Sequence, residues 1–154
     1  CLYTYVMYSA GLYMEALPQI FYVCMGIYGW HQWLNKNSTE PELSVSTWEP
    51  VKHVSAVTLI FVLAYASGWL LEKYTAAALP FLDALTTWGA IVTTYMVANK
   101  VLENWIYWFV IDSISIYLFI SRELYFTAFL FFVYLFMIVI GYRAWKQSRV
   151  VVND

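Results

Sequence analysis

The segment NWIYWFVIDS, residues 104–113, carries a carboxamide, an indole and a carboxylate, each four residues after the one before. On a helix, Asn104, Trp108 and Asp112 fall on one face, and Ser115 continues it. We call these four residues the polar stripe. A tryptophan face attracts a cationic ring, while carboxamide and carboxylate groups bond an amide, hydroxyls or a positive charge. The stripe therefore favours a site for a planar, hydrogen-bonding ligand, including a cationic one.

The composition of the chain indicates that the stripe lies in a membrane. Of the 154 residues, 62% are hydrophobic and 12% are charged, whereas soluble domains are about 45–50% apolar and about 25% charged. An aspartate at the centre of a bilayer helix costs about 2.5–3.5 kcal/mol, so we expect Asp112 to face a cavity or a partner. The net charge of −2 shows no basic excess, and nucleic acid is not an expected partner.

Several stripe residues also have a purely structural interpretation. Asp112 can hydrogen-bond to a neighbouring helix, and Asn104 can cap the start of its own helix. Trp105 is expected to be an interfacial anchor beside the stripe. The sequence has no Ser-His-Asp set, no HExxH, no Walker loop and no GxGxxG, so we expect neither an enzyme nor a bound cofactor or metal.

The elements that must position the stripe are membrane-spanning helices, each about 20 apolar residues long. Residues 1–8 are expected to end a helix that begins upstream. Residues 35–52 form a polar loop and residues 148–154 a polar tail. The full spans are predicted at 14–34, 53–73, 80–99, 103–120 and 124–147.

Lysine and arginine are distributed unequally between the two ends of this predicted bundle. Only Lys73 and Arg122 fall at one end. Because cytoplasmic loops carry the excess of these residues, we expect the long loop and the C-terminus in the cytoplasm. The residues at that end are Lys36, Lys52, Lys100, Arg143, Lys146 and Arg149.

An ungapped internal repeat relates residues 12–33 to residues 124–145. Both copies end on the same side of the predicted membrane, so they are parallel. The alternative is two generic helices with interfacial aromatic residues, but the matches include glycine and tryptophan. The identities are Leu12/Leu124, Tyr13/Tyr125, Ala16/Ala128, Tyr22/Tyr134, Met25/Met137, Gly29/Gly141 and Trp33/Trp145.

Parallel repeats are typical of transporters, where they relate two halves by an axis along the membrane normal, with the substrate near the midplane. We therefore predict an all-α membrane protein, a 3+1+3 bundle with two parallel three-helix repeats. Residues 80–147 form the second repeat, residues 53–73 the connector helix, and residues 1–34 the remainder of a truncated first repeat.

Four residues outside the stripe are also expected to bind substrate or line its path. Gln19 and Tyr22 share one side of the first full span, and Gln19 is expected to hydrogen-bond the ligand. Trp88 and Thr94 lie on the third full span, where Trp88 adds a second aromatic wall.

The segments IYGWHQW, NKVLENWIYWFVIDSISI and TAFLFFVYLFMIVIGYRAW resemble the PnuC family of vitamin transporters. The ENWxxWxxxD run, which contains Asn104, Trp108 and Asp112, and the two Gly-x-x-x-Trp helix ends are the most specific parts. The resemblance covers nearly the whole chain apart from the loop at 35–52. Compared with the family pattern, we expect the first helix and most of the second to be missing from the sequence.

The resemblance implies a SWEET-like 3+1+3 architecture in the bacterial inner membrane. It implies transport of nicotinamide riboside by facilitated diffusion, with trapping by a cytoplasmic kinase, and assembly as a homotrimer. Related members carry thiamine or riboflavin, and the stripe separates these planar substrates poorly. An alternative from another class is a membrane scaffold without transport, in which the stripe packs only against protein.

Overall fold

The computed structural model describes the backbone of residues 13–34, 44–74 and 79–153, with side chains in 20–34, 44–74 and 79–149. These parts of the chain are helical and contain no strand; Ser46 and Val101 form one isolated bridge. The helices are α1 Tyr13–Leu34, α2 Pro50–Tyr74, α3 Pro80–Ala98, α4 Asn104–Ser121 and α5 Tyr125–Asn153.

Local chemistry explains where these helices begin and end. Pro50 and Pro80 start α2 and α3, where the missing N–H of proline leaves no bond unmade. The turns after α3 and α4 contain Lys100 and Glu123 at positive φ, 48° and 59°. Left-handed residues of this kind end a helix and reverse the chain, so α3, α4 and α5 run antiparallel to their neighbours in sequence.

Four helices, α2 to α5, are long and apolar enough to cross a membrane. They coincide, to within a few residues, with the predicted spans at 53–73, 80–99, 103–120 and 124–147. The predicted span at 14–34 is helix α1. The all-α class is therefore confirmed for the part of the chain that the structure describes.

Helix α3 lies at the centre of the described bundle, in contact with α1, α2 and α4. Helix α5 packs on α4. The α2–α3 interface is built from small side chains, with Ala56, Ala64 and Gly68 buried on α2 and Ala84 on α3. Small residues let helix backbones approach closely, which is the main attraction available in lipid.

The segment 44–49 is fastened to the turn between α3 and α4. The Ser46 N–H donates to the Lys100 carbonyl at 3.0 Å, and the Leu102 N–H donates to the Ser46 carbonyl at 2.8 Å. The Trp48 N–H donates to the Glu103 carboxylate at 3.3 Å. We call this end of the bundle, which also carries the end of α5, the loop end.

The contact between Gly68 and Phe81 makes the α2–α3 packing testable. A Cβ on Gly68 would lie 2.6 Å from Cδ1 and 3.1 Å from Cα of Phe81. Overpacking of this kind costs about 1–3 kcal/mol, so Gly68→Ala should lower the thermal unfolding midpoint of the purified protein. Gly26→Ala is the matched control, because a Cβ on Gly26 meets nothing within 4 Å. A Gly68→Ala protein as stable as the parent would contradict this packing.

Candidate functional site

The polar stripe is the buried face of α4. Asn104, Asp112 and Ser115 are 0%, 4% and 6% exposed, and Trp108 is half-buried. The opposite face carries large exposed apolar residues, among them Val110, that suit contact with lipid. The structure therefore turns the stripe toward the bundle.

Helix α3 supplies the surface that packs against this side of α4. Thr93 and Met96 are fully buried, and a Cβ on Gly89 would lie 3.1 Å from the Ile111 side chain. The Thr93 hydroxyl donates to the Gly89 carbonyl at 2.7 Å. The glycine therefore lets α3 and α4 approach closely next to the stripe.

Asn104 is the first residue of α4, but it does not cap the helix. The N-cap is Glu103, which makes no side-chain capping bond. The Asn104 Nδ2 instead donates to the Val101 carbonyl at 2.5 Å, which braces the preceding turn. Its Oδ1 is buried and has no partner among the described residues. An unpaired buried acceptor costs about 1–3 kcal/mol, which a donor on a ligand would relieve.

Asp112 is a buried carboxylate that lacks a partner. In the described part of the chain it makes no hydrogen bond and no ion pair, so the bond to a neighbouring helix considered above is not formed there. The described lysine and arginine side chains are all at least partly exposed. A buried charge requires a partner, and a positively charged or hydroxyl-bearing ligand would provide one.

Trp105 faces α5 instead of the stripe. Its ring lies edge-to-face with Trp145 at a centroid distance of 5.4 Å, and a Cβ on Gly141 would overlap it. Its Nε1 is buried and unpartnered within the described ranges. The flanking position expected for Trp105 therefore agrees with its contacts.

Tyr22 and Thr94 lie together in a cleft of about 290 Å³ between α1 and α3. The Thr94 hydroxyl donates to the Ala90 carbonyl at 2.7 Å, so only its lone pairs are available to a ligand. Tyr22 is half-buried. The lining of this cleft includes no residue of the stripe.

The remaining predicted residues are placed elsewhere or lie outside the described side chains. The Trp88 Nε1–H donates to the Ser67 hydroxyl at 3.0 Å, which places this indole at the α2–α3 interface, away from the stripe. The side chain of Gln19 is outside the described part of α1. Thr93 was not singled out from the sequence; its helical spacing from Gly89 and Met96 places it on the buried face of α3.

No group of three or more histidine, cysteine, aspartate or glutamate side chains that could hold a metal occurs within residues 20–34, 44–74 and 79–149. The stripe instead offers one hydrogen-bond acceptor, one aromatic face and one carboxylate on adjacent turns of a single helix. These groups can hold a planar, hydrogen-bonding ligand without covalent chemistry.

Comparison with known proteins identifies the family. A family model described as nicotinamide mononucleotide transporter matches residues 1–147. The nicotinamide riboside transporters PnuC of Escherichia coli (strain K12) and Shigella flexneri are each 24% identical over 172 residues, covering 96% of this chain and 72% of the relative. The riboflavin/roseoflavin transporter RibM of Streptomyces davaonensis is 26% identical over 136 residues, covering 85% of this chain and 63% of that protein.

No solved structure matches the chain. The family match covers α1 to α4 and α5 up to residue 147, and it includes the polar stripe. The chain belongs to the nicotinamide mononucleotide transporter family, the family of PnuC, whose members are membrane transporters and not enzymes.

Proposed function

We propose that this chain carries nicotinamide riboside across the bacterial inner membrane by facilitated diffusion, with the polar stripe as its binding surface. The observation that carries this proposal is the unpartnered polar face of α4: Asn104 Oδ1 is buried without a partner, and Asp112, 4% exposed, makes no hydrogen bond among the described residues, with Trp108 one turn from each. The similarity to PnuC supports the choice of substrate.

The spacing of the stripe suits the length of a nucleoside. Asn104 and Asp112 are eight residues apart, which is about 12 Å along a helix axis. In this arrangement the substrate carboxamide donates to Asn104 Oδ1 and the pyridinium ring lies on the face of Trp108. The ribose hydroxyls then donate to Asp112, and the carboxylate offsets the charge of the ring.

The family model is described as a nicotinamide mononucleotide transporter, but the negative charge of the stripe favours binding of the riboside, which has no phosphate. A phosphate would be repelled by the unpaired carboxylate of Asp112. None of the described lysine or arginine side chains is buried where it could bind a phosphate. Phosphorylation by a cytoplasmic kinase would therefore give a product that cannot return through the same site.

The proposed mechanism is alternating access between two parallel three-helix halves. Helices α3, α4 and α5 form the second half, α2 is the connector, and α1 ends the first half. The repeat between α1 and α5 supports this 3+1+3 arrangement. The excess of lysine and arginine at the loop end supports a cytoplasmic location for the loop and the C-terminus. Assembly as a homotrimer completes the proposal.

A second candidate substrate is riboflavin, because the chain is also similar to RibM. The neutral flavin ring would stack on Trp108 and its ribityl hydroxyls could donate to Asp112, but the ring itself carries no positive charge for that carboxylate to offset. Thiamine is planar and cationic and would use both residues. The stripe therefore distinguishes a cationic from a neutral ring more sharply than one vitamin from another.

Uptake of labelled nicotinamide riboside into liposomes containing the full-length protein tests the function itself. We expect uptake that follows the concentration gradient, stops when the inside and outside concentrations are equal, and needs neither ATP nor an ion gradient. Protein-free liposomes are the control. A scaffold without transport would give no uptake above that control, and accumulation driven by an ion gradient would contradict facilitated diffusion.

Removal of the aromatic face of the stripe should weaken binding. Stacking of a base on an aromatic side chain is worth about 1–3 kcal/mol, so Trp108→Ala should weaken nicotinamide riboside binding roughly 5- to 150-fold. Trp108→Phe keeps an aromatic face and should lose much less. Isothermal titration calorimetry on purified, folded variants measures both. Unchanged affinity in Trp108→Ala would exclude Trp108 from the site.

Removal of the charge of Asp112 should weaken the binding of a cationic ligand more than the binding of a neutral one. A hydrogen bond to a charged group is worth about 1.5–3 kcal/mol, so Asp112→Asn should weaken nicotinamide riboside binding about 10- to 150-fold. Riboflavin, whose ribityl hydroxyls can also donate to Asp112, should lose less affinity because its ring carries no positive charge. Ser113→Ala is the control and should leave binding unchanged, because Ser113 lies on the exposed face of the same helix and its hydroxyl donates to the Phe109 carbonyl. Equal losses for both ligands would show that the charge of Asp112 does not select a cationic ring.

A further inference from the structure

The last tryptophans of the two sequence repeats touch each other. Trp33 ends the repeat copy in α1 and Trp145 ends the copy in α5, and their ring centroids are 6.1 Å apart, edge-to-face. Two equivalent residues related by a twofold axis can meet only beside that axis. The repeat axis, if it relates the halves as proposed, therefore passes between these two rings at the loop end.

Each ring of this pair is anchored in a different way. Trp145 is held by its own half, because it lies edge-to-face with Trp105 at 5.4 Å beside Gly141. Trp33 reaches across to the second half: its Nε1–H donates to the Ala98 carbonyl at 3.2 Å. The Lys100 ammonium lies 5.3 Å from the Trp33 ring centroid.

The described side-chain contacts of α1 with α3 and its turn cluster at the loop end. A Cβ on Gly29 would lie 3.5 Å from Cβ of Ala98, and the Tyr28 hydroxyl donates to Asn99 Oδ1 at 3.4 Å. Further from this end, the cleft between α1 and α3 contains Tyr22 and Met25. Trp33 also lines this cleft and lies at its loop end.

We infer that Trp33 and Trp145 form the gate that closes the transport path at the loop end. The inference rests on the proposed function, because it needs two halves that move apart. A path between the halves follows their axis, so a solute that leaves toward the loop end must pass between these two rings. On opening, Trp33 separates from both Trp145 and Ala98, while Trp145 stays in contact with Trp105.

Cross-linking of the two positions tests the gate in the full-length protein. Trp33→Cys and Trp145→Cys are combined in a background without native cysteines, reconstituted in liposomes and treated with a bifunctional methanethiosulfonate, whose spacer takes the place of the two removed rings. We expect a cross-link, verified by mass spectrometry, that reduces nicotinamide riboside uptake to the level of protein-free liposomes. Reduction with dithiothreitol should restore uptake, and each single-cysteine variant should be insensitive to the cross-linker.

Binding measured on the same samples distinguishes a failure of the proposed gate from a failure of the proposed function. The cross-linked protein should still bind nicotinamide riboside, because its site stays reachable from the opposite end. Absence of binding in the parent protein would overturn the proposed function and not the gate. Failure of the two cysteines to cross-link, or full uptake in a verified cross-linked protein, would overturn the gate.

A second measurement covers the case in which the double variant does not fold. Met25→Cys places a single thiol in the cleft, and a membrane-impermeant maleimide is applied from the loop end. If the open state is a minor state of about 10% or less, Trp33→Ala should speed labelling about tenfold. Trp69→Ala, a tryptophan change at the opposite end of the bundle, is the control and should have no effect. Equal labelling rates in all three proteins would overturn the gate.

Discussion

Lipid offers no hydrogen-bond partner, and this constraint decides where each polar side chain of the bundle can lie. Hydroxyl groups find a partner within their own helix: Thr93, Ser113 and Ser115 each donate to the carbonyl one turn earlier. Ser113 can therefore sit on an exposed face. An ionised carboxylate only accepts hydrogen bonds, so it cannot bond to a carbonyl of its own helix as a hydroxyl does. Asp112 must consequently face inward, and this requirement fixes the rotation of α4 about its own axis.

The rotation of α4 determines what its other residues contact. With Asp112 inward, Ile111 meets Gly89 on α3, and Trp105 meets Gly141 on α5. A glycine on each neighbour thus leaves room for a large side chain of α4. The bond from Asn104 to the Val101 carbonyl holds the start of α4 against the turn that precedes it. The stripe therefore lies on a helix that is held by α3 on one side and by α5 on the other.

Much of the fold was predictable, because apolar length alone sets the number of residues that cross a bilayer. The inward face of α4 was also predictable, because a helix turns 100° per residue whatever surrounds it. The partners of Trp88 and Trp105 were not. Periodicity shows which residues share a face of one helix, but the contact depends on the rotation and height of another helix. Trp88 bonds to Ser67 across one interface, and Trp105 fills the space beside Gly141 across another.

Helix α2 belongs to neither repeat by sequence, yet its contacts attach it to the second. It packs along α3, the Trp88 indole donates to Ser67, and His53 Nδ1 lies 2.9 Å from the Tyr107 hydroxyl on α4. On the proposed mechanism, α2 would therefore move together with α3 and α4, and the lipid beside α2 would keep the same neighbours while the two halves rock.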